Sequence, residues 1–206
     1  MRAVLVDYGA GNLRSVERAL ARVGFAVVRA HRPADLSGAD LVVLPGVGAF
    51  GPAVRRLSEV GFADALREWV RGGRPLLGLC LGMQLLFEWS EEGGLHRGLG
   101  LLPGRVVRLP PFGKVPHMGW NQLEPTRRSP LLARVRPGEY VYFVHSYYVV
   151  TPADRVVACT WYGVCIPAVV EEGCVAGFQF HPEKSGEVGR RLLAGVLEWA
   201  GARERA

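Results

Sequence analysis

Short apolar segments alternate with amphipathic segments through the first half of the chain, and this alternation restricts the possible folds more than any other feature. A strand that is followed each time by a helix belongs to a parallel sheet whose two faces are covered. The predicted strands are residues 3–7, 25–29, 40–44 and 75–79. The apolar helix faces carry Leu13, Val16, Leu20 and Val23, then Phe62, Ala65, Leu66, Trp69 and Val70, then Leu81, Leu85 and Leu86.

The pattern changes from about residue 105, where strand-like segments follow one another with turns between them and no long helix. These segments, residues 105–109, 140–150, 155–162 and 168–180, predict antiparallel additions to the parallel core. A last helix is expected after Ser185, which we predict to be its N-cap. Its apolar face carries Val188, Leu192, Val196 and Trp199. With no linker or repeat, residues 1–206 are predicted to form a single domain.

The four cysteines predict neither a metal site nor a redox motif. No two of them have the Cys-x-x-Cys spacing of structural zinc sites and dithiol motifs. Cys159, Cys165 and Cys174 lie in strand-like apolar stretches, and we expect them to be buried structural residues. A disulfide framework is not expected in a chain of this length without a secretory leader. We predict no metal and no cofactor.

The distribution of charge and apolar residues limits the partners. The net charge is +6, but the arginines are spread along the chain, and Lys114 and Lys184 are the only lysines. Without a basic run we expect no nucleic-acid partner. No apolar run approaches the roughly 20 residues of a membrane span, and the first residues form a strand, not a leader. We therefore expect a cytoplasmic protein.

Cys80 lies in Gly78-Leu79-Cys80-Leu81-Gly82, at the predicted junction of a strand and a helix. A nucleophile flanked in this way by glycines projects from a sharp turn above the carboxyl edge of a sheet. The first turn of the helix places free N–H groups beside the sulfur, which favours the thiolate. The N–H of Leu81 can then donate to an oxyanion. Cys80 is thus predicted to be a catalytic nucleophile.

A base for this nucleophile is predicted in His181-Pro182-Glu183, which follows a strand-like segment. Proline keeps the residue before it extended, and side chains two residues apart in extended chain project to the same side. Glu183 can therefore orient the His181 ring by accepting one N–H, which leaves the other nitrogen to face the sulfur. His31 and His96 lie in polar loop-like stretches, and no role is assigned to them.

Several sequence blocks, taken together, resemble the triad-type, or class I, glutamine amidotransferases. The cysteine and His-Pro-Glu blocks are shared by that whole group. Other blocks are similar to the glutaminase subunits of imidazole glycerol phosphate synthases, which act in histidine biosynthesis. These narrower blocks are Tyr8-Gly9-Ala10-Gly11-Asn12, Pro45-Gly46-Val47-Gly48 and His117-Met118-Gly119-Trp120-Asn121.

The resemblance implies a role for each matching position. It implies a catalytic triad of Cys80, His181 and Glu183, and an oxyanion hole formed by the backbone amides of Val47 and Leu81. The residues implied to hold the amino and carboxylate groups of glutamine are Gly48, Gln84, Glu92, Ser146 and Tyr147. The residues implied to face the partner, a (β/α)8-barrel cyclase that consumes the ammonia, are Asn12, Tyr142 and Lys184. Glu92 also follows Glu91 in an acidic run, for which a solvated helix end is the alternative interpretation.

Three other functions remain open from the sequence alone. The chain could be a glutaminase that feeds another synthase, such as one that makes pyridoxal phosphate. It could be a cysteine peptidase or esterase built on a related sheet. It could also be an inactive scaffold that binds the barrel without catalysis, although an intact cysteine turn and His-Pro-Glu block argue against this.

Overall fold

The structure is a computed structural model that describes residues 1–111 and 113–203. In chain order the strands are β1 (Arg2–Val6), β2 (Ala26–Ala30), β3 (Leu41–Leu44), β4 (Leu76–Leu79), β5 (Phe87–Ser90), β6 (His96–Arg97), β7 (Leu102–Arg108), β8 (His117–Gln122), β9 (Glu124–Pro125), β10 (Tyr140–His145), β11 (Tyr147–Val150), β12 (Val156–Trp161), β13 (Cys165–Glu172) and β14 (Val175–Phe178). The α-helices are α1 (Leu13–Arg22), α2 (Phe50–Glu59), α3 (Phe62–Arg71), α4 (Leu81–Leu85) and α5 (Gly186–Arg203).

The central sheet has eight strands in the order β2-β1-β3-β4-β14-β13-β12-β9. The pairs from β2 to β14 are parallel, and the pairs from β14 to β9 are antiparallel. The inner strands β3, β4 and β14 are buried at every position, as expected for strands that are covered on both faces. The predicted α/β class, with a mostly parallel sheet and antiparallel additions, is confirmed.

Helices cover both faces of this sheet, and β1 shows the separation of the two layers. Ala3 and Leu5 pack in the apolar cluster that includes residues of α1 and α5, whereas Val4 and Val6 pack with residues of α2 and α3. Alternate side chains of a strand point to opposite faces, so each layer takes every second residue. No helix in the described ranges is long and apolar enough to cross a membrane.

Two of the long predicted strands are each divided in the structure. The predicted strand 168–180 is a hairpin of β13 and β14, turned at Gly173, whose φ of 53° favours glycine. The predicted strand 140–150 changes sheets at Ser146: β10 pairs with β8, and β11 pairs with β7. The change of direction at Ser146 brings residues 144–147 to the edge of the central sheet, where they line a cavity.

The prediction that excluded a disulfide was wrong at one position. Cys159 and Cys165 form a disulfide between β12 and β13, with their Cα atoms 5.8 Å apart. Cys159 is buried, but Cys165 is exposed, so the expectation of a buried residue fails there. The two cysteines come together because the short hairpin pairs Trp161 with Cys165, a register that spacing alone did not reveal. Cys80 and Cys174 take no part in a disulfide, and Cys174 is half-buried where a buried residue was expected.

Candidate active site

Two adjacent parallel strands bring the predicted nucleophile and base to one edge of the central sheet. β4 pairs with β14 in a register that places Leu79 opposite Phe178. Cys80 directly follows β4, and His181 follows β14 after two further residues. Because the carboxyl ends of parallel strands meet at the same edge, the two side chains approach without a long connecting loop.

The chain turns sharply at Cys80, as the glycine-flanked pattern predicted. Cys80 has φ 52° and ψ −112°, and it is the only non-glycine residue with a positive φ in the described ranges. A side chain keeps such a conformation only where the surrounding structure enforces it. Gly82 allows the start of α4 to lie close to the end of β3, because a Cβ at this position would collide with the carbonyl oxygen of Leu44. The turn therefore holds the sulfur above the sheet edge at a cost in strain.

His181 and Glu183 form the predicted pair. Nδ1 of His181 lies 2.8 Å from Oε1 of Glu183, and the two side chains are 5% and 3% exposed. The His181 backbone is extended, and Pro182 starts a short 3-10 turn that carries Glu183 back toward the ring. The backbone N–H of His181 also donates to the carbonyl oxygen of Tyr142 at 2.9 Å. The Glu183 carboxylate thus orients the ring, and strand β10 holds the backbone of His181 in place.

Ser185 supports His181 and does not cap the last helix with its side chain. Its hydroxyl donates to the carbonyl oxygen of His181 at 2.6 Å and accepts the N–H of Tyr142 at 3.0 Å. The predicted helix is present as α5, and the Ser185 carbonyl accepts the N–H of Gly189. Ser185 therefore lies at the predicted N-cap position, but its hydroxyl binds the His181 segment instead of an N–H group of the first helical turn.

Charge stabilises the protonated form of His181. Burial of the ring alone would lower its pKa, but the interactions with Cys80 and Glu183 outweigh burial and raise the pKa to about 9. Nε2 is buried and has no conventional hydrogen-bond partner in the described structure, so it remains free for proton exchange with the sulfur. The Cys80 sulfur itself lies 3.9 Å from the carbonyl oxygen of Val144. At neutral pH the ring is thus set to act as an acid.

A cavity of about 300 Å³ opens beside the sulfur, in the size range of small-molecule sites. Ten residues are predicted for the nucleophile, the base, the oxyanion hole and the substrate, and nine of them line this cavity: Val47, Gly48, Cys80, Leu81, Gln84, Glu92, Ser146, Tyr147 and His181. Glu183 lies behind the His181 ring. Three further residues line the cavity, Pro116, Val144 and His145, and the sequence indicated no role for them.

The loop before α2 and the start of α4 supply the two predicted oxyanion amides. Neither the Val47 N–H nor the Leu81 N–H donates a hydrogen bond to another described group. Gly48 has φ 98°, a conformation that favours glycine. The hydroxyl of Tyr8 fixes the start of this loop by donating to the Pro45 carbonyl at 3.0 Å. Burial, assisted by the nearby Cys80 sulfur, raises the pKa of Tyr8, so the hydroxyl remains a donor.

Glu92 lies in a turn after β5, so it is not part of a helix end. Its Oε2 accepts the backbone N–H of Phe50 at 2.8 Å, at the first residue of α2. The carboxylate also lines the cavity. A carboxylate at a helix start is stabilised by the free N–H groups there, and this one can in addition attract a cationic group in the cavity.

The predicted partner-facing residues lie beside the base. Asn12 is exposed and lines a small crevice with His181 and Glu183. Lys184 is also exposed, and its Nζ lies 5.7 Å from the centre of the Tyr142 ring. All three of these residues thus lie close to the His181 segment: Asn12 at the crevice, Tyr142 through its carbonyl and Lys184 in the short turn that follows.

A comparison with protein families identifies the class of protein. The family model described as glutamine amidotransferase class-I matches residues 4–196. The chain belongs to the class-I glutamine amidotransferase family. The matched range includes the cysteine turn, the His-Pro-Glu segment and the whole cavity between them.

Relatives of this class-I amidotransferase share nearly its whole length. A protein of Geobacillus sp. (strain WCH70), named imidazole glycerol phosphate synthase subunit HisH, is 52% identical over 96% of this chain and 98% of its own. Proteins of the same name from Carboxydothermus hydrogenoformans and Aquifex aeolicus are 51% and 50% identical. They are covered over 98% and 94% of their lengths, and cover 95% and 94% of this chain. The resemblance indicated by the sequence blocks is confirmed.

Solved structures agree with the family. A crystal structure of a glutamine amidotransferase matches with a TM-score of 0.77 at 25% identity, over 96% of this chain and 98% of that one. A structure of PurLQS from Thermotoga maritima matches with the same TM-score of 0.77 at 23% identity, over 96% of this chain and 98% of that one. The second likeness is one of fold alone.

Proposed function

We propose that residues 1–206 form a single cytoplasmic glutaminase domain that supplies ammonia to an imidazole glycerol phosphate synthase in histidine biosynthesis. The domain hydrolyses glutamine to glutamate and ammonia. One observation carries the proposal: Cys80 and the His181–Glu183 pair meet at one cavity in a chain that is 52% identical to a relative named as a subunit of that synthase.

The first half of the reaction makes a thioester. The Cys80 thiolate attacks the side-chain amide carbon of glutamine, forming a carbon–sulfur bond and a tetrahedral intermediate. The protonated His181 ring then gives its proton to the departing nitrogen. The carbon–nitrogen bond breaks, ammonia leaves, and a γ-glutamyl thioester remains on Cys80. The raised pKa of His181 supports this order, since the acid is already protonated at neutral pH.

The second half regenerates the enzyme. The now neutral His181 accepts a proton from water, and the resulting hydroxide attacks the thioester carbon. The carbon–sulfur bond breaks, so glutamate leaves and the thiolate and imidazolium are restored. Glu183 keeps the ring in the tautomer that exposes Nε2, and it stabilises the positive charge without itself taking a proton.

Backbone amides are suited to hold the negative charge that develops on the glutamine carbonyl oxygen. The N–H groups of Val47 and Leu81 are both free of other described partners, and both residues line the cavity beside the sulfur. N–H donors without a competing partner need not break another hydrogen bond before they bind an oxyanion. The remaining lining side chains, with Glu92 as the anionic one, are left to hold the amino and carboxylate groups of the substrate.

An exposed patch of apolar side chains near the His181 segment supports docking of a partner there. Trp120 is 55% exposed and Met118 is 62% exposed on β8, and the Trp120 ring packs edge-to-face against Tyr142 at 6.0 Å. Tyr142 in turn neighbours Lys184. Exposed tryptophan and methionine side chains are typical of protein interfaces. We propose that this patch, with Met118 and Trp120 beside the predicted residues Tyr142 and Lys184, binds the (β/α)8-barrel cyclase that consumes the ammonia.

Co-purification with the candidate cyclase, followed by an assay of glutamate release, tests this function. We expect a stable complex whose glutaminase activity exceeds that of the isolated chain, and ammonia that is transferred to the acceptor substrate of the cyclase. No binding to the cyclase, together with stimulation by a pyridoxal-phosphate synthase, would favour the other glutaminase role. Hydrolysis of peptides or esters in preference to glutamine would instead favour a general cysteine hydrolase.

A further inference from the structure

Both amide hydrogens of Gln84 are used inside the protein. Its Nε2 donates to the carbonyl oxygen of Tyr147 at 2.9 Å and to Oε1 of Gln179 at 3.0 Å. No donor in the described structure bonds Oε1 of Gln84, although this residue lines the cavity beside Cys80. The amide therefore presents an oxygen acceptor to the cavity and no free donor.

The carbonyl of Tyr147 determines which way this amide is turned. A carbonyl oxygen can only accept, so a reversed Gln84 amide would place one acceptor against another. The same carbonyl lies 2.9 Å from Nδ1 of His145, which must therefore carry a hydrogen. Nε2 of His145 is then an acceptor, and it lies 3.0 Å from Nδ1 of His117. Hydrogen bonds from two directions thus hold the Tyr147 carbonyl in place.

Gln179 accepts the other amide hydrogen of Gln84, but its own amide group is only partly hydrogen-bonded. Its side chain is fully buried behind the cavity, and its Oε1 accepts from Gln84. Its own Nε2 is buried with no partner in the described structure. A buried unpaired donor is unfavourable, whereas an apolar side chain of the same length would avoid it. The hydrogen bond that Oε1 of Gln179 accepts from Gln84 is therefore the interaction that favours glutamine over an apolar residue at position 179.

We propose that Gln179 is a positioning residue for recognition of the substrate amino group. With the Tyr147 carbonyl, it locks Gln84 so that Oε1 of Gln84 faces the cavity and accepts a hydrogen bond from a protonated α-amino group. Glu92 lines the same cavity and adds the matching negative charge. The inference rests on the proposed glutaminase function and adds Gln179, which does not line the cavity, to the residues on which the affinity for L-glutamine depends.

Steady-state kinetics of the complex with the cyclase test this role. Gln179→Met removes the acceptor at nearly constant volume, Gln179→Glu keeps an acceptor oxygen, and Thr160→Val is the matched control. Thr160 also has a buried polar atom without a partner, but it does not line the cavity. Each variant is assayed with L-glutamine and with 4-carbamoylbutanoate, which is glutamine without its α-amino group.

For Gln179→Met we expect the KM for L-glutamine to rise about tenfold, the equivalent of one weakened hydrogen bond, with kcat changed less than about twofold. The preference for L-glutamine over 4-carbamoylbutanoate, measured as the ratio of kcat/KM values, should fall by about the same factor. For Gln179→Glu we expect both quantities to stay close to those of the unsubstituted chain, because an acceptor oxygen is kept. Thr160→Val should leave them unchanged. A folded Gln179→Met with unaltered KM and unaltered preference would overturn the proposal.

A measurement on the unsubstituted chain keeps the inference testable if Gln179→Met does not fold. The two Nε2 hydrogens of Gln84 should exchange with solvent at least about a hundredfold more slowly than those of the exposed Gln122, because both are bonded in the interior. Fast exchange at Gln84 would overturn the inference. Failure of the unsubstituted complex to hydrolyse glutamine would instead overturn the proposed function, and it is seen before any variant is compared.

Discussion

The backbone N–H of Cys80 donates a 2.7 Å hydrogen bond to the carbonyl oxygen of Phe178. This bond extends the β4–β14 pairing by one step past the end of β4, up to the nucleophile itself. Three residues after Phe178 the chain reaches His181, so the nucleophile and the base are joined through the backbone of one sheet edge. Their relative position is therefore set by strand register, which is more rigid than a loop.

Removal of the sulfur should abolish catalysis and leave the partner surface unchanged. We expect Cys80→Ala to lower the glutaminase kcat by about 10⁴-fold or more, since no thioester can form. Binding to the cyclase should stay within about twofold, because Cys80 is buried and the exposed aromatic patch lies on β8. Glutamate release and a binding titration measure the two effects. Turnover retained in Cys80→Ala would remove this residue as nucleophile.

The two members of the His181–Glu183 pair should differ in importance. His181→Asn removes the group that transfers the proton, and we expect kcat to fall by about 10⁴-fold. Glu183→Gln removes the carboxylate that orients the ring, and we expect a fall of about 10²-fold. Single-turnover rates of thioester formation measure both. A larger loss for Glu183→Gln than for His181→Asn would contradict the assigned roles.

The pKa of His181 predicts that its contribution to stability depends on pH. The ordinary pKa of 6.5 is raised in the fold to about 9, so the folded state binds the proton more tightly than the unfolded state. This stabilisation is fully present below pH 6.5 and is lost as the pH rises through 9. The difference in Tm between the unsubstituted chain and His181→Gln should therefore shrink from pH 6.5 to pH 9. A difference that grows over this interval would contradict the charge state assigned to the ring.

The buried histidines His117 and His145 should behave in the opposite way. Burial lowers the pKa of His117 to about 4 and that of His145 to about 3. Their neutral forms are favoured in the fold, so stability is lost as the pH falls from 6.5 through these values. Nitrogen-15 NMR should show both rings neutral at pH 5.5, each with its hydrogen on Nδ1, as the hydrogen bonds to Tyr147 and His145 require. A protonated ring at that pH would contradict this arrangement.

Docking on the aromatic patch predicts a strong effect of one side chain. We expect Trp120→Ala to weaken binding of the cyclase by about 30-fold, the size typical of a central aromatic residue in an interface. Trp89→Ala is the matched control, because Trp89 is also an exposed tryptophan but lies on β5, in a different sheet from β8. Equal effects of the two substitutions would place the partner elsewhere.

The sequence was sufficient to predict a strand where its residues are continuously buried, and to predict a turn where the backbone requires glycine. The inner strands β3 and β4 are apolar at each buried position, and the cysteine turn depends on close approach at Gly82. The pattern failed for helix α2, which begins Phe50-Gly51-Pro52 and resembles a loop, although proline is tolerated in a first helical turn. It failed also for β8, where Gly119 and two exposed apolar side chains obscure the alternation.

Within the candidate site, only the residues that belong to local sequence motifs could be predicted from the sequence. Cys80 and His181 stand in local patterns whose chemistry is readable from adjacent residues. Gln179 lies two residues before His181, and His145 directly precedes Ser146. Their roles depend on contacts across 95 and 28 positions of the chain, to Gln84 and His117. The disulfide between Cys159 and Cys165 depends likewise on hairpin register. Such contacts come from the fold and leave no spacing rule in the sequence.

Covalent labelling by a glutamine-analogue electrophile tests the central claim most directly. The account predicts one adduct per chain by intact mass, on the peptide that contains Cys80, and protection of that site by L-glutamine. Cys174, the second cysteine that is not part of the disulfide, lies outside the cavity and serves as the internal control. Labelling of Cys174 with equal or greater speed, or no protection of Cys80 by glutamine, would contradict the account.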